Sequence, residues 1–221
     1  MDTSKKHEIF EIETLDSLKS GKFLEPLVFG GGTMLRLCYE LNRYSVDLDF
    51  WFIRKTDYNT YFKKLRTYLE NRYDVTDAQA KTNILLFEIR SKDYPKQLTI
   101  EIRREIKSCH YQEKIAFAEY HTKQVLLRVH TLEQTMKNKI EAALDRAEIR
   151  DFFDIEFMLR NGIPLTATTA QKDLMAKTIA GFKASDYSVK LGALLDAETR
   201  RYYTKNQFDY LLNKLRQSNP Q

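Results

Sequence analysis

The chain has 221 residues, of which 43% are hydrophobic and 30% are charged, and its formal net charge is +5. This composition is typical of a folded globular protein, excludes a disordered chain, and mildly favours an anionic partner such as RNA. No apolar run reaches the roughly 20 residues that span a bilayer, and the N-terminus lacks the apolar core of a secretory signal, so we expect a cytoplasmic protein without a membrane partner.

The order of the predicted elements indicates an α+β fold. A leading helix ends near Gly21, and a buried strand at residues 24–29 leads to a glycine turn and a helix with one apolar face. The elements predicted after it are a strand at 48–53, a helix at 58–71 capped by Asp57, and strands at 73–76, 84–90, 98–103, 115–117 and 125–129. The rest of the pattern is helical, with candidate helices at 137–155, 169–180, 187–196 and 206–217. We therefore predict a mixed core at residues 1–130 and a helical region at residues 131–221.

The glycine turn has the composition of a phosphate site. Gly30, Gly31 and Gly32 end the first strand and are followed by Thr33. Glycine accepts positive φ and lets backbone N–H groups approach an anion closely. Thr33 is suited to cap the next helix, whose N-terminus would attract negative charge.

The second strand begins with two carboxylates. Asp47 and Asp49 are two residues apart, so an extended backbone places both on one face. Carboxylate oxygens suit Mg²⁺, a hard cation that often shares its ligands with substrate phosphates. Arg43 and Ser45 precede the pair, and we expect Arg43 to be free to face solvent or a phosphate.

A third carboxylate is a candidate member of the same set. Glu101 lies between Ile100 and Ile102 in a strand-like run, and alternation places it on the face opposite the isoleucines. Glu101 can also be read as an ordinary surface glutamate, and Glu88, in the preceding strand-like run, is the rival candidate for the third carboxylate.

A second informative stretch is the predicted helix at residues 137–155. If this helix is continuous, Lys139, Ala143, Arg146 and Arg150 share one narrow stripe at about 100° per residue. Such a cationic stripe is suited to a triphosphate, because arginine matches phosphate oxygens through its planar fork.

These motifs together resemble a known superfamily. The glycine turn, joined to the string from Arg43 to Phe50 (RYSVDLDF), resembles nucleotidyltransferases with the polymerase-β-like fold, and within them the AbiEii/AbiGii toxin family. The string from Lys139 to Asp154, K-x-x-A-x-x-x-R-x-x-x-R-D-x-x-D, is similar to the second motif of that family.

The resemblance implies specific roles for the motif residues. It implies that two Mg²⁺ ions are held by Asp47, Asp49 and Glu101, and that Asp151 is an essential polar residue near the site. It also implies that the NTP is bound by Gly31, Gly32, Thr33, Arg43, Ser45, Lys139 and Arg146.

The implied reaction is transfer of a nucleoside monophosphate from an NTP to an acceptor hydroxyl, with release of pyrophosphate. Relatives point to tRNA as the acceptor and to a growth-inhibiting toxin paired with a separately encoded antitoxin. A protein acceptor, as in adenylylation, remains an alternative. So does a catalytically silent module of the same fold that binds a nucleotide or a partner.

Overall fold

The computed structural model describes residues 2–217, which form two compact units. Unit 1 combines Met1–Glu40 with Tyr44–Thr131, and unit 2 combines Leu41–Arg43 with Leu132–Gln221. Helices and strands are both present, which confirms the predicted α+β class. Within the described range, no helix combines the length and the apolar character needed to cross a membrane.

Unit 1 is built on a mixed sheet whose seven strands are numbered along the chain. They are β1 (Leu27–Gly30), β2 (Asp47–Phe52), β3 (Asp74–Ala80), β4 (Ile84–Arg90), β5 (Leu98–Arg103), β6 (Tyr111–Phe117) and β7 (Gln124–His130). Their spatial order is β3-β4-β5-β2-β1-β7-β6. The β2–β5 and β1–β7 pairs are parallel, and the other neighbours are antiparallel. The helices of this unit are α1 (Thr3–Ser20), α2 (Gly31–Tyr39) and α3 (Tyr58–Glu70).

The central strands β2 and β5 have one core face and one polar face. Their core residues are at most 1% exposed, and they include Leu48, Phe50, Phe52, Ile100 and Ile102. Burial of each such side chain stabilises the fold by roughly 1.5–3 kcal/mol. The alternate residues are only half-buried, and they include Asp47, Asp49, Thr99 and Glu101. The two-residue period of the strands thus separates the carboxylates from the core.

Two predicted helix ends in unit 1 are confirmed. Helix α1 ends at Ser20, with Gly21 in the C-cap position. Helix α3 begins after Asp57, whose carboxylate accepts hydrogen bonds from the backbone N–H groups of Asn59 and Thr60. Such a cap contributes about 1 kcal/mol because it satisfies N–H groups that the helix leaves unpaired.

Unit 2 is helical over the residues that the structure describes. Its elements are α4 (Leu132–Arg146), α5 (Ile149–Arg160), α6 (Thr169–Ala180), a π-helical turn (Asp186–Leu191), a 3₁₀ turn (Gly192–Leu194), α7 (Ala197–Asn206) and α8 (Asp209–Arg216). The prediction of one continuous helix over residues 137–155 is wrong. Ala147 has a left-handed φ of 53°, which ends α4, and α5 begins two residues later.

Two further elements differ from the prediction. Strand β6 begins at Tyr111 rather than Ile115, and most of its residues are exposed, so no alternating pattern marks it. Helix α7 was missed because Tyr203 is its single buried residue, which leaves no apolar stripe to detect. Asp196, predicted as the last residue of the preceding helix, is instead the N-cap of α7 and accepts hydrogen bonds from the N–H groups of Glu198 and Thr199.

Candidate functional site

The turn between β1 and α2 brings the backbone against a carboxylate. Gly31 has a φ of +76°, a conformation that favours glycine, and the helix starts at this residue. A Cβ atom at Gly31 would lie 2.0 Å from Oδ2 of Asp49, so the Asp49 side chain would have to shift. Glycine is therefore favoured here for two reasons, the backbone conformation and the close approach of Asp49.

Thr33 does not cap the helix, contrary to the prediction. Because the chain turns at Gly31, α2 begins three residues earlier than a cap at Thr33 would allow, and Gly30 takes the N-cap position without a side-chain bond. Thr33 lies inside the first turn and is fully buried. Its hydroxyl oxygen has no hydrogen-bond partner among the residues that the structure describes. A buried unpaired hydroxyl costs about 1–3 kcal/mol, so a specific explanation is needed for its presence next to the glycine turn.

Asp47, Asp49 and Glu101 lie on the polar face of the β2–β5 pair. Asp49 and Glu101 are direct register partners in these parallel strands, and Asp47 is the partner of Thr99. Adjacent strands are about 4.8 Å apart, so Asp49 and Glu101 project side by side. On its other edge Asp49 pairs with Gly30, which joins the carboxylates to the glycine turn.

Glu88, the rival third carboxylate, lies one strand further from the aspartates. It is on β4, where its register partner is Thr99, and its Oε2 accepts a hydrogen bond of 3.2 Å from Nε2 of Gln97. Glu101 is thus the glutamate nearer to Asp49 in the sheet.

The donor set at this edge of the sheet fits a hard divalent cation. The candidate ligands are carboxylate oxygens, as Mg²⁺ prefers. Among residues 2–217, no three or more His, Cys, Asp or Glu side chains are placed so that they could hold a metal ion by themselves. Mg²⁺ sites commonly take only one or two carboxylates and complete their coordination with substrate phosphates and water, so an open arrangement is compatible with this ion.

Helix α1 supports the beginning of β2 through buried polar groups. Nε2 of His7 donates a hydrogen bond of 3.2 Å to the carbonyl oxygen of Val46, next to Asp47. Burial lowers the pKa of His7, so the ring is neutral at pH 7. Burial, reinforced by the charges of Glu8 and Asp47, raises the pKa of Glu11 well above its usual range. The pKa of His7 is thus lowered and the pKa of Glu11 is raised, and both shifts favour the neutral forms of these buried side chains.

Unit 2 contains a buried ion cluster made from the second motif and Arg43. Asp154 is fully buried, and its carboxylate accepts hydrogen bonds of 2.6 and 2.7 Å from Nε and Nη2 of Arg43. Nζ of Lys139 lies 2.6 Å from Asp154 and 3.0 Å from Asp151. Asp151 also accepts hydrogen bonds of 2.7 and 2.8 Å from Nε and Nη2 of Arg146. The second motif thus connects α4, α5 and the segment Leu41–Arg43.

The cations keep both buried aspartates ionised. Burial by itself raises the pKa of Asp154, but the charges and hydrogen bonds of Arg43 and Lys139 outweigh it and lower that pKa below its usual value. Burial likewise opposes ionisation of Asp151, and Arg146 together with Lys139 lowers its pKa. Removing one partner of such a pair leaves an uncompensated buried charge, at a cost of about 3–5 kcal/mol.

Two expectations about this cluster require correction. Arg43 was expected to be free to face solvent or a phosphate, but it is 2% exposed and forms a bidentate bond with Asp154. The cationic stripe is interrupted, because Arg150 lies on α5 beyond the break at Ala147. Lys139 is 7% exposed, whereas the side chain of Arg146 is 41% exposed.

The predicted site residues fall into two groups, one in each unit. Unit 1 holds the glycine turn and the three carboxylates, together with Ser45, which is half-buried just before β2; these residues are Gly31, Gly32, Thr33, Ser45, Asp47, Asp49 and Glu101. Unit 2 holds Arg43, Lys139, Arg146 and Asp151. The importance of Asp154 was missed, because its partner Arg43 is 111 residues away in the sequence.

Comparisons with known proteins give a consistent assignment. A family model described as nucleotidyl transferase AbiEii toxin, type IV toxin–antitoxin system, matches residues 14–217. A comparison with curated proteins finds no match.

Solved structures provide a separate comparison of the fold. A nucleotidyltransferase structure from H. pylori has a TM-score of 0.56 and 21% identity, and the alignment covers 93% of this chain and 95% of the other. MenT4, a nucleotidyltransferase toxin from Mycobacterium tuberculosis H37Rv, has a TM-score of 0.47 and 15% identity, with 92% and 85% of the two chains covered. The first of these likenesses shows a shared fold.

Proposed function

Because the chain belongs to the AbiEii nucleotidyl transferase toxin family of type IV toxin–antitoxin systems, we propose that it transfers a nucleoside monophosphate from an NTP to a hydroxyl of RNA. The acceptor oxygen bonds to the α-phosphorus, the bond to the β-phosphate oxygen breaks, pyrophosphate leaves, and the hydroxyl proton passes to solvent. We further propose that tRNA is the acceptor and that the resulting growth inhibition is opposed by a separately encoded antitoxin.

One observation carries the catalytic part of this proposal. Asp49 contacts the glycine turn on one side and is the register partner of Glu101 on the other. A phosphate at the N-terminus of α2 would therefore lie beside the carboxylates. This is the arrangement that phosphoryl transfer requires, because positioning and charge stabilisation supply most of its catalysis.

The carboxylates would hold the metal ions that this class of reaction uses. Mg²⁺ ions, held by Asp47, Asp49 and Glu101, would supply charge neutralisation to the attacking and leaving oxygens. In this assignment the N–H groups of Gly31, Gly32 and Thr33 bind phosphate oxygens, and Ser45 adds a hydroxyl donor. Asp49 has a second role, because its contact with Gly31 fixes the carboxylate relative to the turn.

We assign two roles to the second motif: some of its residues bind the nucleotide, and others orient those residues. We propose that Lys139 and the more exposed Arg146 contribute positive charge toward the triphosphate. Asp151 receives both cations and so sets their orientation. Arg43 is assigned the same function of ordering charge, since the bidentate bond with Asp154 fixes its guanidinium.

The test is incorporation of label from each α-labelled NTP into total RNA in the presence of Mg²⁺. Wild-type protein is expected to label a band of tRNA size, and Asp49→Ala is expected to abolish labelling while keeping a cooperative unfolding transition. Label on a protein would replace the RNA acceptor with adenylylation or a related modification. NTP binding without any labelled product would support the silent module and contradict the proposed transfer.

A further inference from the structure

A cavity of about 660 Å³ lies beside Asp47 in unit 1. Residues at the start of β2, at the start of β5, at the end of β4 and in the turn between β4 and β5 line this cavity; they include Asp47, Thr99, Arg90, Ser91, Tyr94 and Lys96. Strand β1 and the glycine turn lie along the opposite edge of β2. The cavity is therefore separated from the glycine turn by the strand that carries Asp47 and Asp49.

The cavity lining contains both negative and positive side chains. Asp47 is the single carboxylate among the described residues that line it, whereas Arg90 and Lys96 supply two exposed cations. Nη2 of Arg90 donates a 3.2 Å hydrogen bond to Oε1 of Gln97, which orients the guanidinium. Because a guanidinium has five N–H donors, this bond leaves donors suited to phosphate oxygens.

Tyr94 forms part of the cavity wall, and both its hydroxyl and its ring face are held by contacts with helix α1. Its hydroxyl donates a hydrogen bond of 2.6 Å to Oε2 of Glu13. Its ring stacks on Phe10, with centroids 4.7 Å apart and planes 11° apart. The cavity wall is thus held in position before any ligand binds, which lowers the entropic cost of binding.

We propose that this cavity binds the phosphodiester backbone of the acceptor RNA strand, an inference that rests on the proposed transfer to an RNA hydroxyl. In a nucleic acid, backbone phosphates lie next to the reacting sugar. With the acceptor hydroxyl at Asp47, a neighbouring phosphate enters the cavity and meets Arg90 and Lys96. A protein acceptor carries no such regular anion, so the paired cations favour a nucleic acid over a protein.

The test compares two double charge reversals in the full chain. Arg90→Glu with Lys96→Glu changes the cavity, and Lys63→Glu with Lys64→Glu makes the same change in net charge at exposed lysines of α3 that do not line it. A fluorescent single-stranded RNA oligonucleotide is titrated by anisotropy at several salt concentrations. Binding of each NTP with Mg²⁺ is measured in parallel.

The cavity variant is expected to weaken RNA binding by about tenfold or more, with a slope of log affinity against log salt reduced by about 0.7 for each lost phosphate contact. NTP binding is expected to stay at the wild-type level, and the control pair is expected to retain most RNA affinity. The inference is overturned by equal RNA affinity in both double variants, by wild-type protein that binds no RNA, or by loss of NTP binding in the cavity variant. A failure of the proposed transfer is seen separately, as the absence of labelled RNA with wild-type protein.

Discussion

Arg43 and Asp154 are 111 residues apart in the sequence, yet they form a buried bidentate ion pair with contacts of 2.6 and 2.7 Å. Lys139 and Asp151 extend this pair into a cluster, and Arg146 adds a cation at its exposed side. The cluster gives the second motif a structural function that is independent of any nucleotide.

This pair predicts a large and non-additive effect on stability. Asp154→Asn is expected to lower the free energy of unfolding by about 3–5 kcal/mol, because Arg43 would keep its charge in a buried position without a full partner. Arg43→Met combined with Asp154→Leu is expected to cost less than the sum of the single changes. Urea denaturation of Arg43→Met, Asp154→Leu and their double variant measures the coupling, and additive losses would contradict the assignment.

The glycine turn predicts a difference between two glycines that both have positive φ. Gly31→Ala is expected to destabilise the protein by the roughly 1–2 kcal/mol of a left-handed residue, plus the cost of displacing Asp49. Gly162→Ala is the matched control, because Gly162 has a φ of +82° and its added Cβ would have no atom within 4 Å.

Thermal unfolding and label transfer distinguish these two effects. Gly31→Ala is expected to lose transfer as well as stability, whereas Gly162→Ala is expected to keep transfer. Equal losses of stability in the two variants would show that the contact between Gly31 and Asp49 has no energetic consequence.

Glu11 predicts a pH dependence that opposes that of an ordinary surface carboxylate. Its folded-state pKa is well above 4.5, mainly because of burial, so the folded protein retains a proton that the unfolded chain releases. The resulting stabilisation is complete below pH 4.5 and is lost as pH rises toward the folded-state pKa.

Glu11→Gln removes this proton linkage. The stability of the variant relative to wild type is expected to increase by about 1.36 kcal/mol per pH unit above pH 4.5, until the wild-type carboxyl ionises. Urea denaturation between pH 4 and pH 8 measures the difference. A difference that does not change with pH would mean that Glu11 is ionised in the folded protein.

Much of unit 1 could be predicted from the sequence because its signals are local. The two-residue alternation of β5 indicated which face would carry Glu101, and the Asp57 cap fixed the start of α3. The register of β2 against β5 could not be read from the sequence, since it depends on pairing between segments about 50 residues apart. The strand order places β5 rather than β4 beside β2, and the register then makes Glu101, not Glu88, the neighbour of Asp49.

The structure around the second motif could not be predicted from local sequence signals. Periodicity extended one helix through Ala147, because alanine is a strong helix former and nothing local marks its left-handed φ. The burial of Arg43 depends on a carboxylate of α5 that is 111 residues away in the sequence, and the residues around Arg43 do not predict it. A buried ion pair of this kind is set by tertiary packing, which neither propensity nor spacing records.

We propose that Glu101 completes the carboxylate set with Asp47 and Asp49. The most direct measurement compares label transfer by Glu101→Gln and Glu88→Gln at saturating Mg²⁺ and NTP. Both residues lie on half-buried strand positions, and each change removes one negative charge at nearly constant shape. We predict that Glu101→Gln lowers the rate by at least about 100-fold, as expected from removal of a group that stabilises transition-state charge, and that Glu88→Gln stays within about threefold of wild type. A wild-type rate for Glu101→Gln, or an equal loss in Glu88→Gln, would contradict the account.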